Sequence, residues 1–194
     1  MEPVYTSFEQ PTSLSSKVIE FIQTLVLFAA IGTAIYLFIA QPHKVSGLSM
    51  FPTMYNGDYI ITNKIGYRFS QPQKGQIVVF KNPREESQDF IKRIMGIPGD
   101  RVKVQNEHFF VNGAMLNEDY LNPSIATLPG SFLKEGEEVL VPPDHYIVMG
   151  DNRLASSDSR EWGFVSKDEI IGQAFFRYFP INSIGLVKAA NLPN

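Results

Sequence analysis

The chain contains no cysteine, which excludes disulfides, thiolate zinc sites and a thiol nucleophile. Histidine is scarce. His43, His108 and His145 share no metal-ligand spacing, so a histidine-rich metal centre is not expected. A hydrolase built on this chain must find its base elsewhere or use one isolated imidazole. The net charge is −3, with both signs mixed along 194 residues, and no basic run is long enough for nucleic-acid recognition. Helix–strand alternation of the doubly wound kind, internal repeats and low-complexity tracts are all missing.

Long hydrophobic runs are also rare, and the single exception divides the chain. Residues 1–15 are polar, with Pro3 and Pro11, and read as a loosely ordered tail. Phe21 to Ala40 carries no formal charge, and Leu25 to Ala40 is almost wholly apolar. At ~1.5 Å per residue such a helix matches the ~30 Å bilayer core. A cleavable secretory signal would have a shorter apolar region, a basic start and a small-x-small exit. Here the exit is Phe38-Ile39-Ala40-Gln41-Pro42, and Lys17 is the only basic residue among Glu2, Glu9 and Glu20. Residues 16–41 are therefore expected to be a retained transmembrane anchor. The flanking charges do not fix its orientation.

From residue 42 to 194 the texture is mainly β. Short runs rich in β-branched and aromatic residues alternate with Gly, Pro and Asn/Asp turns. Strands are expected at Asp58–Asn63, Gln76–Phe80, Phe90–Met95, Arg101–Val104, His108–Val111, Glu138–Val141, His145–Met149 and Gln173–Tyr178. Val102 to Val111 reads as a hairpin whose turn, Gln105-Asn106-Glu107, is not of the tightest two-residue kind. Residues 115–137 hold turn formers and read as a long loop or insertion. Ser166–Ile171 has room for one helical turn. The whole describes a domain of small antiparallel sheets behind one membrane helix.

Three stretches carry groups suited to chemistry. In Ser46-Gly47-Leu48-Ser49-Met50-Phe51-Pro52-Thr53, a serine sits on a shaped loop, with Gly47 permitting close backbone approach and Pro52 fixing the exit. In Asp89 to Asp100, Lys92 and Arg93 lie between Ile91 and Ile94. On a strand adjacent side chains face opposite ways, so one cation is expected inside and the other outside, or both at an edge. A lysine among apolar groups loses solvation and its pKa falls, and a neutral amine can take the proton of a serine hydroxyl. In Gly150 to Gly163, Asp158 and Arg160 share a face of an extended segment and can pair, while Ser156 and Ser159 add hydroxyls. Each stretch alone also fits a turn, an edge-strand cation or a surface ion pair.

Taken together, the stretches resemble bacterial type I signal peptidases, membrane-bound proteases with a serine–lysine dyad. Ser49-Met50-Phe51-Pro52-Thr53 is similar to the family's nucleophile box, and Gly57 to Lys64 to the box that follows it. Phe90 to Asp100 is similar to its lysine box. Gly150-Asp151-Asn152-Arg153 with Ser156, Asp158, Ser159, Arg160, Trp162 and Gly163 is similar to its last box. The resemblance covers roughly residues 45–180 and the preceding anchor. It implies Ser49 as nucleophile and Lys92 as general base, with Ser156 orienting the amine and Asp158 and Arg160 as a supporting ion pair. The Ser49 N–H would be one oxyanion donor. Gly47 stands where some members carry a hydroxyl donor, which leaves the second donor open.

The resemblance further implies no cofactor or metal and a catalytic domain outside the cytoplasm or facing an organelle lumen. Substrates would be signal peptides of exported preproteins, bound as an added strand and cut after small-x-small sites. Val45, Met50, Phe90 and Ile91 are the candidates for lining the substrate pockets. The stretch 104–140 is expected to be a small version of the family's second β-region. Three other readings stand beside it: a specialised processing peptidase of the same fold, a self-cleaving repressor-type protease, and an inactive membrane-tethered peptide-binding domain. The membrane run and the absence of a basic DNA-binding module disfavour the repressor type.

Overall fold

The computed structural model describes residues 14–122 and 125–193. The chain divides into two units, one ending at Phe38 and the other running from Ile39. In the first, Leu14–Phe38 forms a single helix of 25 residues, α1. At ~1.5 Å per residue it is ~37 Å long. None of its residues is buried, although apolar side chains from Leu25 onward occupy every face. A helix apolar all round and uncovered by protein is suited to lipid. It is the one helix among the described residues long and apolar enough to cross a membrane. Its limits differ from residues 16–41. Leu14 and Ser15 are helical, while Ala40 and Gln41 belong to a strand. Pro42 explains the early stop, because the residue before a proline avoids helical geometry. The remainder of the expected tail lies outside the described residues.

The second unit is built on two antiparallel sheets. Its strands are β1 (Ala40–Lys44), β2 (Tyr59–Asn63), β3 (Ile77–Asn82), β4 (Glu85–Gly96), β5 (Arg101–Gln105) and β6 (His108–Val111). β7 (Ala114–Met115), β8 (Val139–Leu140), β9 (His145–Met149), β10 (Val165–Ser166), β11 (Ile170–Phe179) and β12 (Gly185–Leu186) follow. The larger sheet has the order β1-β2-β11-β3-β4-β9-β10, with β12 also on β11. The smaller has the order β7-β6-β5-β8. All eight strands expected from the sequence are present, within a few residues at their ends. Those not foreseen, β1, β7, β10 and β12, have two residues each apart from the five of β1, which follows the anchor without a turn signal.

β3 shows why the larger sheet is buried on both faces. Ile77 and Val79 pack with Val45, Met50, Met54 and Ile60, whereas Val78 and Phe80 pack with Ile94, Tyr146 and Val148. The period-2 alternation of a strand sends successive apolar residues into two separate cores. The same double cover corrects the expectation for Lys92 and Arg93. They do face opposite ways, yet both are buried, at 4% and 1% exposure.

The smaller sheet shares a third core with the larger one. Val102, Val104, Phe109 and Val111 pack with Met95, Ile147 and Met149. The described residues of 115–137 are mostly irregular, as their turn formers suggest. The β5–β6 turn is tighter than expected. Gln105 pairs directly with His108, leaving Asn106 and Glu107 as a two-residue loop, both at positive φ, 48° and 64°. That is the geometry a right-twisted hairpin demands, even with Glu where glycine is usual. The single helical turn expected near 166–171 is present at Lys167–Glu169, with Ser166 and Glu169 forming a capping box.

Glu107 occupies the left-handed region at a cost of ~1 kcal/mol relative to a residue without Cβ. Glu107→Gly is expected to raise stability by about 0.5–1 kcal/mol. Thermal unfolding of the full chain in detergent measures this, and a lowered midpoint contradicts the turn geometry.

Candidate active site

The serine loop leaves β1 and turns back before β2. Gly47 has φ +92°, and its N–H donates to Asn56 Oδ1 at 3.0 Å. Phe51 N–H donates to the Leu48 carbonyl at 3.1 Å and Met54 N–H to the Met50 carbonyl at 2.8 Å. These bonds curl residues 48–54 tightly and anchor the loop through the buried Met50 and Met54. From the other side, Asn152 N–H donates to the Ser49 carbonyl at 2.9 Å and Asn152 Nδ2 to the Leu48 carbonyl at 3.2 Å. Ser49 is thus fixed by both chain neighbours and a distant loop. Its own N–H has no partner among the described residues.

Lys92 arrives on β4, opposite Val78 of β3. Its Nζ lies 2.8 Å from Ser49 Oγ, donates to the Ile91 carbonyl at 3.1 Å, and stands 5.0 Å from the Phe90 ring centroid. Burial pulls the amine down from its ordinary 10.5 to about 8, against the opposing pull of the Asp158 and Asp151 carboxylates. At pH 7 roughly one molecule in ten then carries the neutral amine, against well under one in a thousand for an exposed lysine.

Both carboxylates are engaged by arginines. Asp158 caps the short helix Ser159–Trp162, α2, and receives Arg160 Nε at 2.8 Å, Arg160 Nη2 at 3.0 Å and Gly150 N–H at 3.0 Å. The expected pairing is present, but through a helix cap rather than along an extended segment. Asp151 receives Arg93 Nε at 2.9 Å, Arg93 Nη2 at 2.7 Å and the Thr53 hydroxyl at 2.5 Å. Arg93 also donates to the Gly75 carbonyl at 2.7 Å and lies 4.2 Å from the Tyr120 ring centroid.

Ser156 departs from expectation. Its hydroxyl is buried without a hydrogen-bond partner, so it does not hold the Lys92 amine. Ala155 and Ser157 reach the cleft beside the dyad, and Ser156 between them is not among its walls. It packs against Gly150, where an added Cβ would collide with its hydroxyl and with the Ser49 carbonyl. The amine is oriented instead by Ser49 and the Ile91 carbonyl.

A cleft of about 290 Å³ opens onto the dyad. One wall is His43 to Ser49, the other Asp89 to Lys92. Of the residues expected to line substrate pockets, Val45, Phe90 and Ile91 are on these walls. Met50 is not. It is 1% exposed and packs into the core beneath the loop. β9 joins β4 only from Arg93 onward, so Glu85–Lys92 has β3 alone as a strand neighbour among the described residues. The free backbone edge runs along the cleft and can accept an added strand. Asn56, Arg93, Asp151, Asn152 and the pair His43–Asp89 were not assigned roles from sequence. Only the density of bonding side chains in Gly150-Asp151-Asn152-Arg153 hinted at some of them.

A family model described as "Signal peptidase, peptidase S26" matches residues 18–179. The chain belongs to this family. Over 171 residues it is 39% identical to a probable signal peptidase I-2 of Synechocystis sp., covering 85% of this chain and 75% of that one. Over 180 residues it is 31% identical to a signal peptidase IB of Staphylococcus aureus, covering 87% and 93%. A solved signal peptidase I from Enterococcus faecalis V583 is 30% identical over 54% of this chain and 97% of its own, with a TM-score of 0.46. This S26 member is therefore a serine peptidase.

Removing Arg93 leaves the Asp151 carboxylate buried and unpaired beside the serine loop. Arg93→Met is expected to destabilise the protein by about 3–5 kcal/mol. Chemical denaturation reads the loss, and a change below about 1 kcal/mol contradicts the importance of this pair.

Proposed function

We propose that Ser49 and Lys92 form the nucleophile–base dyad of this signal peptidase. The supporting observation is the 2.8 Å contact between Ser49 Oγ and a lysine amine that burial holds near pKa 8. The reaction is the removal of N-terminal signal peptides from preproteins by a serine peptidase. Neutral Lys92 takes the Ser49 proton as the oxygen attacks the carbonyl of the residue before the cut. The oxyanion accepts the Ser49 N–H, and collapse expels the mature amino terminus with the proton from Lys92. Lys92 then takes a proton from water as it attacks the acyl-enzyme and returns that proton to the departing Ser49 Oγ, releasing the signal peptide and restoring the free serine. Asp158–Arg160 and Asp151–Arg93 act as positioning pairs for the loops on either side of Ser49.

The substrate adds as a strand to the free half of β4, with its small residues at the first and third positions before the cut facing Val45, Phe90 and Ile91. α1 is a single-pass anchor, and the β-rich unit is extracytoplasmic or faces a lumen. Anchoring keeps the enzyme at the face where signal peptides emerge, raising effective concentration rather than affinity.

Ser49→Ala and Lys92→Ala are each expected to lower cleavage of a preprotein with an Ala-x-Ala site by at least about 10³-fold. A Lys92→Ala enzyme that keeps substantial activity would falsify the assignment of the base. In the wild type kcat/KM is expected to rise about tenfold per pH unit below 7, and to level off above about 8 as Lys92 loses its proton. A profile flat from pH 6 to 9, measured with the same preprotein, contradicts a lysine base.

A further inference from the structure

The cleft does not simply fade away from the dyad. It ends where His43 of β1 and Asp89 of β4 approach each other, His43 Nε2 lying 3.4 Å from Asp89 Oδ2. The His43 side chain is 13% exposed and that of Asp89 is 37% exposed. His43 Nδ1 is held at 3.0 Å by the hydroxyl of buried Thr62. Its Nε2 is buried and, among the described residues, has no hydrogen-bond partner, Asp89 standing at ion-pair distance. The partly exposed Asp89 carboxylate, backed by the imidazole, therefore faces the end of a channel whose other residues are largely apolar.

We infer that His43 and Asp89 select the substrate residue that reaches this end of the cleft, accepting polar or basic side chains and rejecting acidic ones. The inference rests on reading the cleft as the substrate channel. Asp89 precedes Lys92 by three residues on β4, ~10 Å at strand rise. A substrate strand with its reacting carbonyl at Ser49 brings its fourth residue before the cut, three beyond the reacting one, level with Asp89. Burial lowers the His43 pKa below the usual 6.5, so the ring is neutral at pH 7 and leaves the carboxylate charge unbalanced. Lys81 stands directly across from Asp89 on β3, but His43 is the one ion-pair partner of Asp89 among the described residues. Of the cations on the cleft, Lys44 holds its ammonium 5.7 Å from the Tyr59 ring centroid, and Lys92 is neutral in its acting form. A second carboxylate brought against Asp89 is repelled, whereas an amide of the same shape can bond to the carboxylate.

Full-length enzyme in detergent would be given peptides with one efficient cleavage site, carrying Asp or Asn at the fourth residue before the cut. The wild type is expected to favour Asn over Asp there by about tenfold in kcat/KM, and the preference should shrink as salt rises to about 0.5 M. Asp89→Asn and Asp89→Ser should each reduce the ratio to within about twofold of unity, the inward-facing charge being gone. Each ratio is internal to one enzyme, so a general loss of activity does not mimic the effect. Equal cleavage of both peptides by the wild type, or an unchanged ratio in both variants, overturns the inference. Failure of the wild type to cut any parent peptide overturns the substrate channel itself, a separate outcome.

Discussion

The structure depends on keeping one amine out of water. Lys92 is a cation in any ordinary setting, and only its burial on β4 makes it a plausible proton acceptor near neutral pH. That burial requires apolar cover on both faces of the central strands, and the pattern of β3 supplies it. Ile77 and Val79 feed one core while Val78 and Phe80 feed another. A sheet open on one face would have left Lys92 or Arg93 in solvent.

Arg93, the neighbour of Lys92, has the complementary task. Asp151 and Asp158 both favour the charged form of Lys92. Left alone in a buried site, they would push the amine back toward its ordinary range. Each instead faces a guanidinium through two parallel hydrogen bonds, Asp151 with Arg93 and Asp158 with Arg160. Two adjacent basic residues on one strand thus do opposite things. One is stripped of solvent, which suits it to the base of the proposed dyad, and the other pairs with the carboxylate nearby. The carboxylates are retained because they hold the loops: Asp151 ties Thr53 to Arg93, and Asp158 caps α2 and fixes Gly150.

Much of this was legible in the chain itself. Apolar alternation and turn residues located the main strands, since β-branched runs between Gly, Pro and Asn have few other uses. The two-residue strands β7, β10 and β12 were invisible because they are made by pairing, not by local preference. β1 was masked by the apolar run before it. The hairpin turn at Asn106-Glu107 was misjudged because Glu is a poor left-handed residue, and the register of β5 and β6 overrides that preference. At the site, Ser49 and Lys92 stood out only when the three stretches were taken together, through their resemblance to one family. The burial of Arg93, the idle Ser156 hydroxyl and the core position of Met50 were not, because each depends on which face of the loop or sheet is covered by distant segments. His43 and Asp89 lie 46 residues apart on separate strands, and only the sheet order brings their side chains to one end of the cleft.

The most direct test is the titration of the Lys92 amine itself. In the Ser49→Ala variant, with the lysine side chain isotopically labelled, the Lys92 resonance can be followed by NMR from pH 6 to 11. A midpoint near 8 is expected, against the 10.5 ordinary for a lysine amine. If Lys92 titrates at that ordinary value, the amine is charged at neutral pH, and a Ser49–Lys92 dyad activated by burial is contradicted.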